Sequence, residues 1–193
     1  YDGWDITERD PLRLGSAGNA GGFFGVTDET KSYQLATLKQ AINIVSDPED
    51  AQYNIITIPG IVNNAATSYL LEKVEERSDA LAVIDIQNVY KPSSEDNQTD
   101  EERNSSLTVK NLVDAFGARS INNSYGAAYA PWVLVNDTIT NRNVWVPPSV
   151  AAVGALSTTD RIAAPWFAPA GFQRGGLSEG AAGIPVLDVS RRF

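Results

Sequence analysis

The chain of 193 residues contains no histidine, no cysteine and no methionine. Without histidine, the usual general base near neutral pH and the commonest nitrogen ligand for metals are missing. Without cysteine there is no thiolate nucleophile, no thiolate zinc site and no disulfide. Serine–histidine–aspartate and cysteine–histidine hydrolysis are therefore excluded, and only carboxylate-held metals or carboxylate-pair catalysis survive. Apolar runs are short too. Although 42% of the residues are hydrophobic, no run approaches the ~18 residues of a membrane-spanning helix, so membrane insertion is not expected.

Positive charge is also scarce. Fifteen Lys and Arg face 24 Asp and Glu, a net charge of −9, and the basic residues are scattered, with Arg191-Arg192 the closest cluster. Phosphate binding draws its affinity from clustered Lys and Arg, so no nucleic-acid partner is expected, and the negative surface reads as a solubility device. The length fits one large core, or one core with a small appendage. Methionine is missing even at position 1, where Tyr1-Asp2-Gly3-Trp4 opens the chain, and the expectation is a processed or excised fragment.

What is present reads as alternating helices and strands. Residues 1–30 form a polar lead with the glycine-rich run Gly15 to Gly25, where backbone of positive φ is easy. No Gly-Lys-Ser/Thr follows, so a loop is favoured over a phosphate cradle. Residues 31–46 set Leu35, Leu38, Ile42 and Val45 at helical steps, closed by Asp47-Pro48. Tyr53 to Ile58 reads as a buried strand ended by Pro59-Gly60, and Val62 to Arg77 as a helix with an acidic outer face. Ala80 to Ile86 is nearly all apolar and belongs in the middle of a sheet covered on both faces. Strand, helix and strand make one βαβ unit, and two more such units are possible after it.

Residues 91–106 are acidic and polar and read as a surface insertion without the glycine of a calcium loop. Leu107, Leu112, Val113 and Phe116 define a third helix, ended at Gly117 by a left-handed cap. Ser120 to Tyr125 and Trp132 to Asn136 read as strands, and Val133-Leu134-Val135 pairs with Val144-Trp145-Val146 as a hairpin. Pro147 and Pro148 stop the ladder, and Pro148 suits the first turn of the next helix. The expected fold class is α/β: a mixed, largely parallel β-sheet flanked by helices, with a β-hairpin and long polar loops.

The segment Val144 to Leu177 is the most specific in the chain. It runs Pro147-Pro148-Ser149, a small-residue helix from Val150 to Ala155, Thr159-Asp160-Arg161, then Trp166-Phe167-Ala168-Pro169-Ala170-Gly171, with Arg174-Gly175 following. This order resembles the tail sheath proteins of contractile phage tails and related contractile injection machines. Upstream, Tyr53 to Gly60, the run Glu75-Glu76-Arg77-Ser78-Asp79, the strand ending at Asp85 and the stretch Tyr129-Ala130-Pro131-Trp132 also resemble that family. The resemblance covers roughly residues 30–177.

The resemblance divides the chain into a lead over 1–30, a sheath core over 31–177 with its insertion at 91–106, and a tail over 178–193. In the family the signature is followed by an asparagine-rich helix and a Trp-Gly-Arg-Thr-like run. The expectation is that this C-terminal portion is absent here. The resemblance further implies a structural subunit of the virion tail, assembled in the bacterial host cytoplasm, whose partners are other sheath subunits, the tail tube protein and baseplate proteins. Subunits of that family stack around the tube, contract on triggering and drive it through the host envelope without consuming nucleotide. Pro148, Asp160, Arg161, Trp166, Pro169, Gly171, Arg174 and Gly175 are the structural signature, with Pro148, Trp166, Pro169 and Gly171 expected to fix a helix and turn against the core.

The competing reading is an α/β enzyme using carboxylates, with or without a divalent metal. Its one candidate is Asp85, at the C-terminal end of a parallel strand where such enzymes place their sites. A carboxylate there equally accepts loop N–H bonds or caps a helix, and no second convergent acid lies nearby, since Glu75 and Glu76 belong to the preceding helix. That structural reading, loop N–H bonds or a helix cap, is favoured, no catalytic residue is named, and no metal or cofactor is expected.

Overall fold

The computed structural model describes residues 33–86, 106–137, 139–164, 166–171, 174–175 and 181–183. The lead over 1–30 and the acidic insertion lie outside the described residues, except Ser106, as does the tail outside 181–183. Among the described residues there are four α-helices and six strands in two sheets. The fold is mixed α/β.

The first sheet is parallel. Strands β1 (Ile55–Thr57), β2 (Leu81–Asp85) and β3 (Gly126–Tyr129) stand in the order β1-β2-β3. Ile55 pairs with Leu81 and Ala82 with Gly126. Helix α2 (Asn64–Arg77) crosses from β1 to β2, and α3 (Ser106–Gly117) lies between β2 and β3 in sequence, so one further βαβ unit follows the first. Helix α1 (Tyr33–Val45) lies against α2. α2 starts where Asn63 accepts the Ala66 N–H at 3.0 Å, and it stops at Ser78, whose φ of 61° leaves the helix.

β2 is the centre of the core because both of its faces are covered. Successive side chains on a strand point to opposite faces. Ala82 and Ile84 join Leu70, Leu71 and Val74 of α2 in one buried cluster with Ile42 of α1. Val83 and Asp85, also fully buried, face the other way, toward helix α4 (Pro148–Ile162), which packs on β2 and β3. A second small cluster, Leu35 with Ala66, seats α1 on the start of α2.

The second sheet is antiparallel, β5 (Arg142–Val146), β4 (Val133–Asp137) and β6 (Ala181–Gly183) in that order. The hairpin register is the one its two apolar triplets demand, Val133 opposite Val146, Leu134 opposite Trp145 and Val135 opposite Val144. Asp137 closes the turn by accepting the Ile139 N–H at 3.0 Å and the Thr140 hydroxyl at 2.5 Å, bonds that hold its carboxyl below the usual carboxylate range. β6 adds a third strand from the tail, which no sequence signal announced.

Several expectations need correction. Ser120 to Tyr125 is not a strand: Ser120 has φ 49°, and Asn123 accepts the Tyr125 N–H at 2.7 Å while donating to the Leu71 carbonyl at 3.1 Å. A side chain that serves the local backbone takes it out of the ladder, and β3 begins only at Gly126. A Cβ at Gly126 would collide with the Leu71 side chain. Gly117 is not a left-handed cap; the positive φ falls three residues later, at Ser120. Tyr53 to Ile58 contains only three strand residues, half-buried at the sheet edge rather than buried. The stretch Tyr129-Ala130-Pro131-Trp132 joins two strands: β3 ends at Tyr129, the Ala130-Pro131 peptide is cis, and β4 begins at Val133. Val45 and Val113 do not belong to buried stripes, being 40% and 61% exposed.

That contrast generates a stability prediction. Leu70 is fully buried under β2, so Leu70→Ala is expected to cost about 2–5 kcal/mol. Val113→Ala is expected to cost under about 0.5 kcal/mol. Urea denaturation of both variants checks this; comparable losses at the two positions would contradict the placement of the core.

Candidate functional site: a capped aspartate and the turn hung from its helix

Asp85 ends β2 and is fully buried. Its Oδ1 accepts the Ser149 backbone N–H at 2.8 Å, and its Oδ2 accepts the Ser149 hydroxyl at 2.9 Å and the Gly60 N–H at 2.9 Å. Each donor is there for a local reason. Ile58-Pro59-Gly60-Ile61 closes through the Ile61 N–H to the Ile58 carbonyl at 3.2 Å, with Gly60 at φ +80°. Proline second and glycine third is what a type II turn requires, and that turn aims the Gly60 N–H at β2.

Ser149 is presented by the start of α4. Pro147, the N-cap residue, supplies no side-chain cap, and Pro148 has no N–H to satisfy. The Val150 N–H reaches the Pro147 carbonyl at 3.1 Å, which leaves the Ser149 N–H for Asp85. Asp85 is therefore the cap of α4, supplied from another strand, and the positive end of the helix dipole favours its charge. Burial nevertheless wins: desolvation raises its carboxyl above the ordinary value of 3.8, against the Gly60 and Ser149 hydrogen bonds that lower it.

Both oxygens of this carboxylate are engaged by the fold. Its hydrogen bonds run to the fold, and no solvent reaches it. Two clefts lie near α4. One, of about 290 Å³, runs past Asn54, Ile55, Ser157, Asp160 and Phe167 and holds a single acid. The other, of about 190 Å³, is lined by Tyr129, Pro131, Pro148, the alanines of α4 and Gly175, with no acid. Among the described residues no group of three acids is placed to hold a metal ion.

The far end of α4 carries the rest of the signature. The helix runs through Thr159-Asp160-Arg161 to Ile162, beyond the Val150 to Ala155 stretch. Thr159 is buried and its hydroxyl donates to the Arg174 carbonyl at 3.0 Å. The Gly175 N–H donates to the Gly171 carbonyl at 2.9 Å, and Gly171 has φ +78°. Gly175 has to be glycine, because a Cβ there would sit 2.7 Å from the Pro169 carbonyl oxygen. The Arg174 guanidinium lies 4.5 Å from the centre of the Phe167 ring. The turn is thus closed on itself and tied to α4.

One signature residue, Trp166, does not act as expected. Trp166 does not pack on the core: it is 82% exposed, its ring 6.4 Å from that of Phe167, which is itself 46% exposed. A turn closed by Thr159, Gly171 and Gly175 has no use for the tryptophan as an anchor. Asp160 and Arg161 are both exposed, and among the described residues no ion pair joins them, since neighbours in a helix point about 100° apart. Pro148 is buried at the helix start, while Pro169 is exposed at the mouth of both clefts.

Sequence reasoning missed two partners. Ser149 stood in the quoted motif without a role, although a serine after two prolines is where a helix start needs an acceptor. Arg77 forms a second knot: its buried side chain pairs with Asp79 at 2.6 Å, donates to the Ala51 carbonyl at 2.7 Å and lies 4.1 Å from the centre of the Tyr53 ring. The Arg-x-Asp run thereby ties the end of α2 to the chain entering β1.

Removing the cap has a defined cost. Asp85→Ala leaves buried donors of Gly60 and Ser149 unpaired, and a loss of about 3 kcal/mol or more is expected. The pH dependence has an unusual sign. Because the folded value is raised, this group's stabilisation is complete below 3.8 and is lost as pH rises through the folded value. Between about pH 7 and about pH 4 the stability difference between wild type and Asp85→Asn should therefore shift in favour of wild type. Urea titrations at both pH values read this; a shift the other way would mean that the hydrogen bonds outweigh burial.

Compared with models of known protein families and with curated proteins, the chain finds no match, so these roles rest on the geometry alone.

Proposed function

We propose that this chain is a structural subunit of a contractile tail sheath, one that self-associates around a tail tube and contracts to drive it through a host envelope. The observation that carries the reading is the ordered signature from Pro147 to Gly175. Its physical behaviour supports an assembly role. The segment spends its rare residues on one rigid unit, with Ser149 locked at one end and Thr159, Gly171 and Gly175 closing the other. What that unit offers to the outside is apolar surface, with Ile162, Trp166 and Phe167 exposed by 58%, 82% and 46%. Trp166 and Phe167 lie side by side with ring centres 6.4 Å apart, and adjoining exposed apolar groups mark interaction surfaces.

The partners on this reading are further copies of the subunit, the tube protein and the baseplate, and its place is the virion tail. Nucleic acid and membrane have no part in it. No helix among the described residues is long and apolar enough to cross a membrane. The carboxylate-enzyme alternative draws no support from Asp85, whose oxygens are engaged by backbone and serine donors in a solvent-free position.

Electron microscopy of the full-length protein, alone and with the tube protein, tests the reading. Tubes or stacked rings are expected. Monodisperse particles under all conditions, or a metal-dependent hydrolase activity abolished by Asp85→Asn, would overturn it.

A further inference from the structure

We draw no further inference here: the strongest candidate, the Arg119 guanidinium on the first turn of α2, where Nη2 meets the Thr67 and Ser68 hydroxyls while Nε and Nη1 are buried without a partner among the described residues, is only a partly exposed arginine beside a helix start, and nothing else in the structure points to a ligand there.

Discussion

A buried carboxylate without a cation beside it has to take its stabilisation from hydrogen bonds, and Asp85 takes it from two places far apart in sequence. Gly60 lies 25 residues before it and Ser149 64 residues after it. Through those bonds the end of the central strand holds the turn that leads into α2 and the first turn of α4. Everything from Pro147 to Gly175 is suspended from this point. α4 has no cap of its own, so its start is specified by a residue on another strand. The closed turn beyond it is tied back to α4 through Thr159. The display of Trp166 is thus the last step of a chain of constraints that begins at Asp85.

The desolvation of Asp85 and its hydrogen bonds oppose one another, and the balance falls on the side of desolvation. An apolar residue at the same place would avoid the cost of burial but would give neither the Gly60 turn nor the α4 start a directional partner. Three hydrogen bonds with fixed donors permit one arrangement of three chain segments, whereas apolar contact permits several. That is a sufficient physical reason for an acid to end an otherwise apolar strand.

Much of this was legible in the sequence wherever one periodicity acted alone. The all-apolar run at β2, the helical spacing of Leu70 and Val74, and the two triplets of the hairpin each appear where their patterns put them. The pattern failed where side chains bond locally. Ile121 to Tyr125 contains strand-forming residues, but Asn123 turns the backbone to its own use. Val45 and Val113 fit a helical stripe by spacing alone, yet each falls at the margin of its helix's packed face. β6 was invisible because three small residues, Ala181-Ala182-Gly183, carry no alternation, and only their pairing with β4 makes them a strand. At the site, a structural role for Asp85 followed from its position, with loop N–H bonds and a helix cap as alternatives, but its donors, Gly60 and Ser149, required three dimensions.

Trp166 shows how a motif can mislead about what a residue does in its own fold. A tryptophan bracketed by prolines reads naturally as an anchor, because large rings usually gain about 2–3 kcal/mol by being buried. Here the turn is complete without it, held by a threonine hydroxyl, a positive φ and one glycine that nothing larger can replace. The ring is left in water on a support too rigid to fold over and hide it. On the sheath proposal, a neighbouring protein would cover it. The sequence has no histidine or cysteine, and among the described residues Asp160 is the one acid lining the adjoining cleft. In the sheath subunit proposed above, this exposed ring would serve contact between proteins.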